Sequence, residues 1–214
     1  MIVNLEYKTI TIIQKQFRES FHMTIPIPHR PSGFLLGDTA AQITIDAFID
    51  IQCPHSRTIW PTLLNVAKYY QGKPVSLRVH LITLSNHRQA WDMSLGLFAL
   101  AEEDASKFFD FATFIYERQA QFYNGSFLHK THNDLINLVA DFANEHSGVA
   151  RESFVQRMND SDIYVQARTP IRYAATNAVW ATPTLFINNA GNVPVDHHSS
   201  LADWQAVIEP LLPA

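Results

Sequence analysis

The chain has 214 residues, 47% of them hydrophobic and 17% charged, with a formal net charge of -4. That length and composition fit one domain of moderate size with a real core, or a scaffold carrying an inserted subdomain. The weak negative charge excludes the basic surface that nucleic-acid binding relies on and argues against docking on an anionic membrane. A single cysteine excludes an internal disulfide framework and any multi-cysteine zinc site, and no apolar run approaches the roughly 20 residues that span a bilayer.

Residues 1–23 mix β-branched side chains with a polar tail and are expected to form an N-terminal arm. Glu6, Lys8, Lys15, Arg18 and Glu19 are scattered through it without the charged-then-apolar layout of a secretory leader. As written, the chain is expected to be cytoplasmic unless a leader has been removed. Pro26, Pro28, Pro31 and Ser32-Gly33 break regular structure, and Gly37-Asp38-Thr39-Ala40 reads as a turn.

Ile43 to Ile51 is rich in apolar and β-branched residues and predicts a central strand. It stops at Cys53-Pro54-His55-Ser56, where a helical pattern begins. Proline suits the first helical position because its missing N–H would have had no intrahelical partner, so Pro54 puts Cys53 at or beside the N-cap. Unpaired amides and the positive end of the helix dipole favour an anion there. For cysteine that anion is the thiolate, the attacking form. A cysteine that merely fills a core needs neither a following proline nor a His-Ser pair, so Cys53 is a candidate nucleophile. Ser56 has two readings, a hydroxyl that helps hold the thiolate or one that caps the helix.

The helix is expected to run to about Tyr70, burying Ile59, Leu63 and Val66 and tolerating Pro61 as a kink. Val75 to Leu84 predicts a second buried strand, on which His80 is expected to be a satisfied, partly buried histidine. From His87 onward the sequence reads helical: Arg88–Ala101, Ala105–Gln121, Thr131–Glu145 and Arg151–Met158, with Arg168–Val179 as a further helix. The aromatics from Phe108 to Tyr123 fall at helical spacing and are expected to be core. Thr184 to Ile187 predicts a buried strand, Asn188 to Asn192 a hairpin turn and Val193 to Val195 a returning strand. Ser199 or Ser200 caps a final helix, Leu201–Leu212. The pairs His129/His132 and His197/His198 lack thiol or carboxylate companions at ligand spacing, so no metal is expected.

Two motifs taken together carry a resemblance. Cys53-Pro54-His55-Ser56 after an apolar strand, and Ala181-Thr182-Pro183-Thr184-Leu185-Phe186-Ile187-Asn188-Asn189 downstream, resemble the DsbA-like branch of the thioredoxin superfamily. The resemblance implies an α/β thioredoxin-like fold with an inserted helical subdomain: scaffold over 24–86, insertion over 87–168, scaffold again over 169–214, with a first strand within Thr24–Ile27. It implies that Cys53 is the nucleophile in the Pro54 turn, that His55 stabilises its thiolate, and that Thr182-Pro183 is a cis peptide whose loop, with Ala181, offers backbone to a substrate chain. His87 and Trp91, at the start of the insertion, are expected to overhang the thiol.

The sequence departs from that family at two places. Ser56 stands where the family has its resolving cysteine, and Ala47 stands where the superfamily often has a buried acid. Asp46 is expected on the opposite strand face, and Asp50 lies nearby. A lone thiol cannot hold an internal disulfide, but exchange proceeds one sulfur at a time. The expected activity is therefore a monothiol thiol-disulfide oxidoreductase working through mixed disulfides with protein or peptide thiols or with glutathione as co-substrate, without a bound cofactor. The alternatives are a redox-inactive relative that binds extended peptides beside Pro183, and a glutathione transferase like the kappa class, which uses a hydroxyl where this chain has Cys53.

Overall fold

The computed structural model describes residues 26–213. The sheet has the order β1-β3-β2-β4, with β1 at Phe34–Leu36, β2 at Ile43–Ile49, β3 at Val75–Leu81 and β4 at Thr184–Ile187. β2 and β3 are parallel, while β1 on β3 and β4 on β2 are antiparallel. A parallel pair needs a long crossover, and helix α1 (Pro54–Tyr69) supplies it. The α1 side chains Ile59, Trp60, Leu63 and Val66 share one core with Ile43, Ile45, Ala47 and Ile49 of β2. Alternate residues point the other way, and there Phe48 joins Ile82 and Ala174 in a second, smaller cluster. Burial on both faces accounts for the nearly continuous apolar run of β2.

Between β3 and β4 the chain is helical: α2 (Ala90–Ala101), α3 (Ala105–Glu117), short 3-10 turns at Gln119–Phe122 and Gly125–Phe127, α4 (His132–Ser147), α5 (Arg151–Met158) and α6 (Ser161–Thr176). Asp104 caps α3 through the amides of Ser106 and Lys107, and Thr131 caps α4 in a reciprocal box with Asp134. These helices share their core with the sheet. The Phe34 ring of β1 stacks on Phe108 of α3, with centroids 4.0 Å apart, and tilts against Phe98 of α2 at 5.5 Å. Phe108, Phe109, Phe111 and Phe122 are buried in that core. The last helix, α7 (Leu201–Ile208), is capped by Ser200 in a box with Asp203.

Several elements differ from their expected bounds. The arm at 1–23, with Thr24 and Ile25 of the expected first strand, lies outside the described residues. Pro26 and Ile27 have no regular structure and Ile27 is 91% exposed. The first strand of the sheet is Phe34–Leu36, placed by the turn at Gly33, whose φ is +88°. β2 and β3 end at Ile49 and Leu81, two and three residues short of expectation. The helix expected over Arg168–Val179 begins at Ser161, with Asp160 at the N-cap position and Arg157 paired to Asp162, and runs unbroken past residues 168 and 169 through a buried Pro170. No strand forms at Val193–Val195: a single bridge joins Ile187 to Ala190, and Pro194 has no N–H to give a ladder. Pro210 follows the end of α7 at Ile208, and the chain continues as a 3-10 turn.

Candidate active site

Local chemistry builds the site at the end of β2. The Asp50 carbonyl accepts from the Cys53 N–H at 3.0 Å, turning the chain through Gln52. Cys53 takes the N-cap position with extended angles (φ -73°, ψ 123°), and Pro54 occupies the first helical turn. The Cys53 carbonyl accepts from Arg57 N–H at 3.1 Å, the first helical bond.

The far motif arrives from α6 and β4. The Thr182-Pro183 bond is cis, and the Cys53 thiol donates to the Thr182 carbonyl at 3.3 Å. Cys53 is 3% exposed and Thr182 8%. Thr182 Oγ1 is buried without a hydrogen-bond partner among the described residues. The Ala181 carbonyl accepts from Thr184 Oγ1 at 2.7 Å, which holds the loop into β4. Ala181 and Pro183 are half-buried, and Trp180 beside them is 84% exposed.

Pro54 and His55 are exposed. The His55 ring meets His197 edge-on with centroids 4.3 Å apart, and His197 in turn meets His198 at 4.1 Å. Partial burial and the neighbouring imidazoles His198 and His55 together lower the His197 pKa against the opposing pull of Asp196. Ser56 does not cap the helix. Its hydroxyl is fully buried and accepts from the Asp50 amide at 3.2 Å, while the N-cap has no side-chain cap bond. His87 is bonded to Asp50, Trp91 packs edge-on against Tyr164, and Ala47 is a core residue with 0% exposure.

Beneath the thiol lies a polar network that motif reading did not find. The fully buried Asp50 carboxylate accepts from Gln52 N–H at 2.7 Å and Leu84 N–H at 2.7 Å and pairs with His87 Nδ1 at 2.9 Å. Gln119 Nε2 donates to the carbonyls of Ile51 (2.9 Å) and Cys53 (3.0 Å), and its oxygen accepts from Tyr123. Gln52 Nε2 donates to Gln89 and Asn124, and the Gln89 amide returns a bond to Gln52 Oε1. The Tyr116 hydroxyl donates to the Asp50 carbonyl at 3.2 Å. Burial, with the nearby charges of Asp50 and Cys53, holds that phenol well above its usual pKa, so it stays a donor. Isolated amides inside helical stretches have no sequence signature; Gln52 alone adjoined the motif.

Among the described residues, no group of three or more His, Cys, Asp or Glu is placed to hold a metal ion, and no helix is long and apolar enough to cross a membrane. The arrangement is a lone sulfur on a helix tip, facing a backbone carbonyl, with a rigid hydrogen-bonded floor. Such a sulfur can exchange with one disulfide at a time.

A family model described as Thioredoxin matches residues 29–210. No curated protein matches the sequence. Among solved structures, the fold is similar to oxidised BdbD from Bacillus subtilis (17% identity, TM-score 0.66, covering 86% of this chain and 96% of that one). It is also similar to DsbA from Chlamydia trachomatis (16% identity, TM-score 0.62, 87% and 95%) and to DsbA2 from Pseudomonas aeruginosa (19% identity, TM-score 0.59, 85% and 96%).

Proposed function

From the premise that the chain belongs to the DsbA-like thioredoxin-fold family of thiol-disulfide oxidoreductases, we propose that it acts as a monothiol member through mixed disulfides at Cys53. The observation that carries this reading is the Cys53 thiol at the α1 N-cap, 3.3 Å from the Thr182 carbonyl, in a chain with one cysteine. In the first step the Cys53 thiolate attacks a disulfide, forming one S–S bond and expelling the other half as a thiolate. In the second, an external thiolate attacks the mixed disulfide and frees Cys53. Each step breaks one S–S bond and makes one, so the electrons balance without a cofactor. Ser56 cannot do the second step, which leaves glutathione or a protein thiol as the resolving partner. Pro54 fixes the turn that carries the sulfur, and His55 stands on the exposed rim with His197. A substrate chain lies along Ala181, Thr182 and Pro183, where loss of the sulfur proton frees the Thr182 carbonyl to accept a backbone N–H.

Incubation with oxidised glutathione followed by intact-mass measurement tests this. One glutathione adds to the wild-type chain, none to Cys53→Ala, and reduced glutathione removes it. A wild-type chain that takes up no glutathione sinks the reading.

The 3% exposure of Cys53 favours one competing reading, a redox-inactive protein that uses the same loop to hold extended peptides. Peptide binding that persists unchanged in Cys53→Ala, together with no glutathione uptake by the wild type, would establish that alternative.

A further inference from the structure

On the sheet face turned away from the main core, Ser32, His80 and Asp46 form a continuous hydrogen-bonded chain. Ser32 Oγ lies 2.8 Å from His80 Nδ1, and His80 Nε2 lies 2.9 Å from Asp46 Oδ1. The three come from three separate places: the loop before β1, the C-terminal end of β3 and the middle of β2, where Asp46 and His80 project from neighbouring parallel strands. Among the described residues they line a cleft of about 580 Å³ with Arg78, Tyr173 and Asn189.

Two features set this apart from a buried histidine that has merely found partners. The first is close approach. A Cβ at Gly33 would stand 2.9 Å from His80 Nδ1 and 2.8 Å from Arg78 Cγ, so only glycine lets the loop bring Ser32 onto the ring. The second is protonation. Burial lowers the His80 pKa, outweighing Asp46 and aided by the Arg78 charge, so the ring is a neutral base at neutral pH. The stacked rings of Phe48, at 4.5 Å, and Tyr173, tilted at 5.0 Å, fix its plane. Nucleophile within hydrogen-bond reach of a base, and base oriented by a third group, is the geometry of an activated hydroxyl.

We infer that Ser32, His80 and Asp46 form a second reactive site, independent of Cys53, that hydrolyses small acyl esters. Ser32 Oγ attacks the ester carbonyl carbon and its proton passes to His80 Nδ1. Asp46 holds the Nε2–H and the imidazolium that forms. The tetrahedral intermediate collapses by expelling the alkoxide, which takes the proton from His80. Water, deprotonated by His80, then cleaves the acyl-serine to the carboxylic acid and restores the hydroxyl. No redox change occurs and water is the only co-reactant. The ring nitrogens serve in the reverse sense to the serine-protease triad, in which Nε2 faces the serine. The chemistry is the same, since either tautomer presents one donor and one acceptor. Arg78, whose Nη1 donates to the Ser32 carbonyl at 3.4 Å, lines the same cleft and supplies a cation within it for the oxyanion charge of the proposed step.

A fluorophosphonate probe, which phosphonylates activated serines, tests the site on the full chain, with the adduct located by peptide mass. The expected result is a single adduct on Ser32, with a labelling rate about 100-fold lower in His80→Gln, as loss of a general base predicts. 4-Nitrophenyl acetate hydrolysis should fall in parallel in Ser32→Ala. If His80→Gln does not fold, the pH profile of wild-type labelling decides: a rate that climbs as a histidine loses its proton supports the site, and a flat profile overturns it. Absence of an adduct on Ser32, or labelling unchanged in a folded His80→Gln, also overturns it.

Discussion

The Cys53 thiol and the Thr182 carbonyl share a hydrogen bond of 3.3 Å across 129 residues of sequence, and that bond lasts only while the sulfur keeps its proton. Once sulfur is ionised or bonded to a second sulfur, the carbonyl loses its donor in a place with little water. A backbone N–H from an incoming chain is the natural replacement. On the reading proposed above, the loop would couple the chemical state of the sulfur to the availability of a peptide acceptor.

The Thr182 hydroxyl beside that carbonyl is buried and has no hydrogen-bond partner among the described residues. A buried hydroxyl without a bond costs about 1–3 kcal/mol, so an isosteric apolar replacement relieves rather than adds to the cost. Thr182→Val is expected to leave stability unchanged or raise it by about 1 kcal/mol in urea unfolding. If the hydroxyl serves a bound chain, mixed-disulfide formation with peptides slows in the same variant while that with glutathione does not. A loss of more than about 1 kcal/mol of stability would contradict the premise that the group has no partner.

Gln119 is the keystone of the floor, since one side chain meets two carbonyls of the Cys53 turn and the Tyr123 hydroxyl. Truncation in Gln119→Ala strips donors from buried acceptors, each costing about 1–3 kcal/mol. A destabilisation of about 3 kcal/mol is expected from the urea midpoint at unchanged m-value. Alkylation of Cys53 is expected to become faster as the turn loosens. A midpoint shift worth less than about 0.5 kcal/mol, the range of ordinary surface substitutions, would remove Gln119 from this role.

How much of this was legible follows from how local each signal is. The start of β2, the N-cap cysteine, the proline of the first turn and the bounds of β4 are fixed by residues within a few positions of one another, and all are where the sequence puts them. His80 has the hydrogen-bond partners expected of it, but it is fully buried where partial burial was expected, because Phe48 and Tyr173 close over its ring. Asp46 reads correctly as facing away from the main core, because strand alternation is a strict rule. The floor was not legible because Gln89, Gln119 and Asn124 reach the turn only through tertiary packing of the insertion. β1 was missed because three residues are too few to show a period, and α6 began early because its first turn is polar, with its apolar face starting at Ile163.

His80 gives acid sensitivity with a definite sign. Its folded-state pKa lies below the ordinary 6.5, chiefly through burial, so below that pH the unfolded chain binds the proton first and stability rises with pH. Stability from this group is complete above about pH 6.5 and is lost as pH falls from there toward the folded value, at no more than about 1.4 kcal/mol per pH unit. Denaturation midpoints between pH 7 and 5 are expected to fall more steeply for the wild type than for His80→Gln. Parallel curves for the two proteins would mean that the ring takes up its proton equally in both states.

Ser56 decides whether the site is monothiol by residue identity or by geometry. In the first turn of α1 it stands three residues after Cys53, a spacing that brings Cβ atoms to about 5–6 Å in a helix. A disulfide needs about 3.5–4.5 Å, and the extended backbone of Cys53 at the N-cap gives its sulfur room to swing toward the helix. Against this, Ser56 Oγ is fully buried and accepts the Asp50 amide, a bond that a thiol accepts poorly. Ser56→Cys is therefore expected to cost about 1 kcal/mol when reduced. Once oxidised, it closes an internal disulfide: the chain becomes two hydrogens lighter by intact mass and no longer takes up glutathione. If Ser56→Cys still carries one glutathione after oxidation, as the wild type is expected to, the floor holds position 56 too firmly for closure, and the lack of self-resolution is built into the network around Asp50 rather than into the missing sulfur.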